Sequence, residues 1–438
     1  MSSTDRSLRG RVSFPAGCFP PAIAPLFRVR ARAHPGTLGW PLAWALLLAA
    51  GCGSDTDSGW IDPKSIPRWS VEEEVRLGLA EGDEAELFGS IGAATVTTDG
   101  ELWLFDSRPA QIRRFDLQGN PRGVVGRPGE GPGEFSRVRG MLARRSGEVV
   151  VLDVGTARLT RFSSQGALMG TQPLPPAVTG GGLHEDLEGH LYLRARDLSD
   201  PNRVPGSGPP PYEWLRVDEH LEVVARIPAP PPDEESGGGM VFATPLGPVV
   251  PNLTRTLHVL GAGGEVIRAH NRSYVLVREA ADGSLADTLA RVAARPAMKT
   301  AAERRELEER IGQDPRVAAP PSLDPEKPIL ESLSVDLDGR IWARLRVEAQ
   351  EVEGLSGFRW HEPGVWDVWS PGGEPLGRIE IPPGHVWLNA HGDRFWVRTF
   401  GPLGEPQVVQ FRIHEGGQAT QPSSASQQHD APISNPEL

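Results

Sequence analysis

The chain has 438 residues and a formal net charge of -12, and 38% of its residues are hydrophobic. Glycine (51) and proline (43) make up about a fifth of the sequence, which leaves little room for long helices and excludes a helical bundle or solenoid. The acidic balance argues against a nucleic-acid partner, because phosphate binding needs a basic surface.

The N-terminal region has the pattern of a secretory leader. Residues 38–50 are uncharged, and this 13-residue stretch is shorter than the roughly 20 residues that span a bilayer. Three arginines precede it, at positions 28, 30 and 32. These features predict a signal peptide over residues 1–51, which is longer than most. Residues 1–51 hold six arginines and one aspartate, a charge of +5, which leaves -17 for the remaining chain.

Small residues at positions 49–51 lead directly into Cys52. This junction resembles the lipobox of bacterial lipoproteins, and the resemblance implies that Cys52 is lipidated and anchors the protein to the cell envelope. Gly53, rather than Asp, follows the cysteine, which by the same resemblance favours the outer membrane. The alternative is an ordinary secretory signal with an incidental cysteine. We assign residues 52–69 to the lipidated cysteine and a linker.

An internal repeat predicts the fold. Asp99–Gly119 and Ser146–Gly166 align without a gap at an offset of 47, with eight of 21 positions identical. A period near 45 with several short strands is typical of propeller blades. A turn glycine followed by a short strand recurs six times, at Gly100, Gly147, Gly189, Gly264, Gly339 and Gly392. The sequence therefore predicts an all-β fold, a six-bladed β-propeller over residues 70–414.

Tryptophans follow three of these turns, at positions 103, 342 and 396. They suit either a carbohydrate-stacking site or packing between neighbouring blades, and their repeated position favours packing.

Ring closure needs one more strand, because an open propeller leaves strand edges exposed. Residues 415–438 lack apolar periodicity and are predicted to be a disordered tail. Ser70–Gly78 precedes the first blade and reads as a strand, so we predict that it forms the outer strand of the last blade.

The segment Val125–Phe135, VGRPGEGPGEF, joins the first two blades. It resembles the junction of NHL repeats, and more closely the GEGPGEF form found in bacterial six-bladed β-propeller lipoproteins. The resemblance covers roughly residues 60–413. We expect its glycines to permit the chain reversal between blades and Phe135 to fill the core.

One insertion, between blades four and five, carries helix signals. Thr300 and Glu303 form a capping-box pattern, Glu306 and Arg310 are an i,i+4 charge pair, and Gly312 follows. The predicted helix is either a lid over the channel mouth or a helix packed on the rim.

Residues at the starts of the inner strands converge on a propeller axis, where ligands bind. The candidate ligand-binding residues are Arg137, Arg139, His184, Trp387 and Asn389. Arginines and a tryptophan without a ring of acids suit a planar or anionic group. Alternatively, both arginines pair with neighbouring acids such as Glu134 and hold adjacent blades together.

Two functions remain open. The first is a cell-envelope binding or scaffolding propeller, with an unknown envelope protein or small ligand as partner, no catalytic residue and no cofactor. The second is a metal-dependent hydrolase, lactonase or lyase with a divalent cation in the central channel, as in other six-bladed propellers. No HExxH or GxSxG motif occurs, and Asp99, Asp186, Asp336 and Asp338 fall at predicted turns, where turn formation accounts for them.

Overall fold

A computed structural model describes residues 59–199, 211–228, 242–244, 247–249, 254–280, 284–313, 323–352 and 359–416 of the chain. Six four-stranded antiparallel sheets form the six blades of a β-propeller, as the repeat predicted. The predicted signal peptide, Cys52 and the tail beyond Gly416 lie outside the described residues. No helix in the described part of the chain is long and apolar enough to cross a membrane.

The strands of each blade follow from the axis outward. Blade one contains Ile91–Val96, Leu102–Ser107, Ala110–Phe115 and Pro121–Val125. Blade two contains Val138–Ala143, Val149–Asp153, Arg158–Phe162 and Leu168–Pro173. Blade three contains Val178–Glu185, Leu191–Arg196, Tyr212–Val217 and Val223–Pro228.

The second half of the ring has the same order. Blade four contains Thr256–Leu260, Val266–His270, Val275–Glu279 and Leu285–Arg291. Blade five contains Leu330–Val335, Ile341–Leu345, Gly364–Trp369 and Pro375–Ile381. Blade six contains Val386–His391, Arg394–Phe400, Pro406–His414 and, as its outer strand, Ser70–Leu77.

Smaller elements lie in the connections. They are the 3-10 helix Glu84–Glu86, the α-helix Ala301–Gln313 (α1), and three two-stranded pairs: Arg127–Pro128 with Glu134–Phe135, Phe242–Thr244 with Gly247–Val249, and Gln350–Glu351 with Trp360–His361.

The closing strand Ser70–Leu77 confirms the predicted ring closure. It pairs antiparallel with Pro406–His414, with Val71 opposite Ile413 and Leu77 opposite Val408. The first and last strands of the described blades therefore share one sheet. The edge that the last blade would otherwise expose is covered.

Six apolar clusters, one between each pair of adjacent blades, hold the ring together. Trp103 lies between blades one and two, Trp342 between five and six, and Trp396 between six and one. Each is at most 2% exposed. These tryptophans are core residues, so the packing interpretation is confirmed.

Phe135, at the end of the glycine-rich junction, fills the space between blades one and two. It is 1% exposed and its ring lies 6.2 Å from that of Phe105 and 6.1 Å from that of Phe162. Gly126 has a φ of +74°, and a Cβ there would collide with the Phe135 ring. The chain reversal therefore needs glycine for both its backbone conformation and its contact with Phe135, as expected.

A strap, residues 59–69, precedes the closing strand and runs along the outside of the ring. The Ile61 amide donates to the Arg291 carbonyl of blade four (2.7 Å), and the Trp69 amide donates to the Arg378 carbonyl of blade five (2.9 Å). Ile66 joins the apolar cluster between blades four and five, and Trp69 joins the cluster between five and six. Part of the predicted linker is therefore packed against the propeller.

The N-terminus of α1 has the predicted capping box. The Thr300 hydroxyl accepts from the Glu303 amide (3.1 Å), and the Glu303 carboxylate accepts from the Thr300 amide (3.3 Å). Glu306 and Arg310 form the predicted i,i+4 pair at 3.6 Å. The helix ends at Gln313, one residue beyond the predicted glycine.

Buried contacts attach α1 to the blade-five part of the chain. Leu307 and Ile311 are 5% and 1% exposed. Lys327, which is fully buried, places its Nζ 2.9 Å from Glu303 Oε1 of the helix and 3.0 Å from Glu362 Oε1. These contacts fit a helix packed on the rim better than a lid.

Candidate functional site

The two ends of the channel differ. We call the face where the inner strands begin the mouth, and the face with the hairpins between inner and second strands the floor. At the floor, Arg145 Nη2 of blade two donates to the Leu337 carbonyl of blade five (2.6 Å). In a ring of six, these blades are opposite each other, so the Arg145 side chain spans the channel. This contact narrows the channel at the floor.

Side chains at the ends of the second strands fix the backbone at the mouth. Asp153 accepts from the amides of Ser136 (2.8 Å) and Arg137 (2.9 Å), and Asn271 accepts from the amide of Arg255 (3.0 Å). Asp106 does the same in blade one with Gly89 and Ser90. The alignment of Asp106 with Asp153 in the repeat was the sequence signal for this role.

The structure places Arg137 and Arg139 at the mouth, where both are exposed. Glu134 is not their partner, which corrects the alternative, because it pairs with Arg127 (2.7 Å) and accepts from the Gly131 amide (2.8 Å). Within the described ranges neither arginine has an ion-pair partner.

His184 is not at the mouth, and this corrects its predicted position. Its strand begins at Val178 rather than near residue 182 and ends at Glu185. His184 is therefore the second-to-last residue of the strand and lies near the floor. Its Nε2 is 2.9 Å from the Gly261 carbonyl of blade four. Burial lowers the pKa of His184, so the neutral imidazole joins two blades. The run of glycines at 180–182 concealed the start of the strand, because glycine has low strand propensity.

Trp387 and Asn389 lie on the inner strand of blade six and are partly buried. The Trp387 ring is 4.7 Å from that of Trp342 and stacks on Phe395 at 5.9 Å. The Asn389 side-chain oxygen Oδ1 accepts from the Ala390 amide (2.7 Å) where the strand pairing shifts register. Both residues therefore contribute to packing and backbone geometry, and the five predicted site residues do not form one cluster.

A second group of polar side chains, missed by the sequence analysis, lies between blades three and four toward the mouth. We call it the cationic cleft: Arg194, Arg196, Tyr212, Trp214 and His258. The guanidinium carbons of Arg194 and Arg196 are 3.8 Å and 3.6 Å from the centre of the Tyr212 ring. Two arginines spaced by two residues on a strand were the available signal, since such residues share one face of a sheet.

The charges near the mouth do not fit a divalent cation. Among the described residues, no three His, Cys, Asp or Glu side chains are grouped as metal ligands. Glu331, on the inner strand of blade five, is paired with Arg344 (3.0 Å). Asp186 and Asp336 accept amide hydrogen bonds within their hairpin turns, which confirms their turn role.

No protein-family model and no curated protein sequence matches this chain. Among solved structures, it is similar to a protein described as exported from Bacteroides fragilis (9% identity, 81% of this chain and 97% of that chain covered, TM-score 0.44). It is also similar to a DUF4221 family member from Bacteroides vulgatus (12% identity, 80% and 100% covered, TM-score 0.44). A third similar structure is the virginiamycin B lyase of Staphylococcus aureus (12% identity, 79% and 99% covered, TM-score 0.37).

Proposed function

We propose that this six-bladed propeller is a non-catalytic binding or scaffolding protein of the bacterial cell envelope. In this proposal it is an NHL-like lipoprotein anchored through Cys52, most simply in the outer membrane, and its partner contacts the mouth. The observation that carries the proposal is the chemistry of the mouth, where Arg137 and Arg139 are exposed and have no ion-pair partner among the described residues. Arginine is one of the residues enriched at binding hot spots.

Arg137 and Arg139 have no ion-pair partner among the described residues, and this supports a binding role. Many other arginines of the blades have a carboxylate partner, for example Arg114 with Glu101 and Arg340 with Asp336. A guanidinium presents planar donors that match carboxylates and other planar polar groups, so an exposed pair beside the channel is suited to a partner's acidic group.

The proposed anchor predicts a change in location. Cys52→Ser should release the protein from membranes into the soluble envelope fraction, because the acyl chains would be its attachment. Fractionation of cells that express the variant, followed by immunoblotting, measures this. Ser54→Ala is the matched control and should stay in the membrane fraction. If Cys52→Ser still sediments with membranes, the lipoprotein assignment is wrong.

The proposed mouth predicts a loss of partner without a loss of stability. The double variant Arg137→Ala/Arg139→Ala should keep the melting temperature of the wild type, because both side chains are exposed and unpaired within the described residues. It should also lose a partner that wild-type protein captures from solubilised envelopes.

The matched control is Arg68→Ala/Arg122→Ala, which removes two exposed arginines from the outer rim (side chains 77% and 59% exposed). This control should keep the partner. If the mouth variant keeps the partner as well, or melts several degrees lower, the arginines do not carry the proposed binding.

A further inference from the structure

The interface between blades three and four differs from the other five. Among the described residues, its apolar cluster contains five members (Tyr192, Trp214, Ile227, Leu260 and Val266), whereas the other clusters contain between nine and sixteen. Toward the mouth, the cationic cleft takes the place of apolar side chains. Burial of apolar side chains stabilises this interface less than the other five. Apolar packing therefore does not explain why polar side chains lie here.

Strand alternation sets which side chains enter the cleft. On the second strand of blade three, Leu193 packs toward blade two, so Arg194 and Arg196 face blade four. On the inner strand of blade four, Leu260 packs toward blade three, and His258 shares its side of the strand. The cleft is therefore lined from both blades.

Glycines allow the inner strand of blade three to lie close against the cleft on its channel side. A Cβ at Gly182 would lie 2.7 Å from Arg194 Cβ and 2.9 Å from the Trp214 ring, and a Cβ at Gly180 would contact Arg194 and the Tyr212 ring at 3.9 Å. A side chain at Gly182 would therefore collide with Arg194 and Trp214, and glycine is needed there for the close approach of the strand.

The cleft has an excess of hydrogen-bond donors. Arg194 Nε, Trp214 Nε1 and His258 Nε2 are buried atoms that have no hydrogen-bond partner in the described part of the chain. Trp214 is only 8% exposed, and its indole nitrogen can only donate. Buried donors are nearly always paired in native proteins, so the Arg194 and Trp214 donors together indicate that an acceptor is missing. The neutral His258 Nε2 donates or accepts according to its tautomer.

The electrostatics indicate the sign of the missing group. Burial lowers the pKa of Arg194, Tyr212 acts in the opposite direction, and the nearby charges of Arg196 and Arg255 lower the pKa further. Burial, and then Arg194, lower the pKa of His258 to about 4, so this imidazole is neutral at pH 7. The Glu213 carboxylate, the nearest acid along the strand, points to the other face and pairs with Arg226.

We propose that the cationic cleft is a binding site for a small organic carboxylate with a planar apolar body. The carboxylate would accept from Arg194 and from the Trp214 indole, and the apolar body would lie against the Trp214 ring, because the guanidinium groups of Arg194 and Arg196 already lie over the Tyr212 ring. A single negative charge is favoured over a phosphate, because the chain after residue 51 carries a net charge of -17 and repels multiply charged anions more strongly. This site is separate from Arg137 and Arg139 and does not depend on an anchor at Cys52.

The test compares benzoate with its neutral isostere benzamide at constant ionic strength, using thermal unfolding and titration calorimetry of the purified protein. Benzoate should raise the melting temperature of the wild type and of the control Arg122→Gln, and benzamide should raise neither. Arg194→Gln should bind benzoate at least about tenfold more weakly, since it loses the charge-assisted hydrogen bond.

The melting temperature of Arg194→Gln without ligand is a second measurement. Arg194→Gln should melt within a few degrees of the wild type, because the loss of the Arg194 contact with the Tyr212 ring is offset by the removal of a desolvated cation that has cations as neighbours. A melting temperature several degrees lower would show that Arg194 holds the blades together and would overturn the proposal. Equal effects of benzoate and benzamide, or unchanged benzoate binding by Arg194→Gln, would also overturn it. None of these results bears on partner capture at the mouth.

Discussion

A chain without residues 59–77, the strap and the closing strand, is expected to aggregate or to melt far below the intact protein. The deletion leaves blade six with three strands and exposes the edge of Pro406–His414. It also removes three buried side chains, Ile66, Trp69 and Leu77, from three different inter-blade clusters. Burial of each such side chain contributes about 1.5–3 kcal/mol to stability, whereas the free energy of unfolding of a whole domain is about 5–15 kcal/mol.

Two further variants make this experiment interpretable. Removal of residues 417–438 should change the melting temperature little, because that sequence has no apolar periodicity. Leu77→Ala keeps the strand and should cost about 2–5 kcal/mol, measured by urea unfolding. If the deletions of 59–77 and of 417–438 were equally harmless, the ring closure described here would be wrong.

Replacement of Lys327 by methionine is expected to cost about 3–5 kcal/mol of unfolding free energy. Its Nζ lies 2.9 Å from Glu303 Oε1, 3.0 Å from Glu362 Oε1 and 2.9 Å from the Val347 carbonyl. Arg346 also pairs with Glu362 (2.7 Å), so Glu362 keeps a counter-charge when Lys327 is removed. Methionine keeps the length of the side chain but leaves one buried carboxylate without its counter-charge. Denaturant unfolding of the purified variant measures the loss.

The double variant Lys327→Met/Glu303→Gln separates charge from packing. It restores the balance between Arg346 and Glu362, and the glutamine oxygen can still accept from the Thr300 amide at the helix N-terminus. We expect it to recover more than half of the stability lost in Lys327→Met. If the double variant were as unstable as the single one, the ion pair would not be the reason for the loss.

The architecture could be predicted because its signals are local and repeated. Each blade places a glycine turn before its second strand, and Gly100, Gly147 and Gly339 have positive φ angles of 89°, 87° and 80°. The closing strand was predictable by a different route, since a ring of blades needs one strand that the C-terminal segment could not supply. The capping box of α1 is likewise encoded within four residues.

The candidate site could be predicted only in part, because it depends on register and on contacts between distant residues. Arg137 and Arg139 were placed correctly at the mouth, since their strand starts directly after a clear junction. His184 was misplaced because the glycines before it hide half of its strand. The cationic cleft joins residues 194 and 258 through the packing of two blades, and neither strand alone indicates which neighbour its side chains face.

The contact between Arg145 and the Leu337 carbonyl has a consequence for the size and shape of possible ligands. Wherever this hydrogen bond is formed, the Arg145 side chain narrows the floor end of the channel. A long glycan or an extended peptide that passed right through the ring would have to displace Arg145 and break the hydrogen bond. A polymer of the envelope meets less obstruction if it presents a chain end or a side group to the mouth.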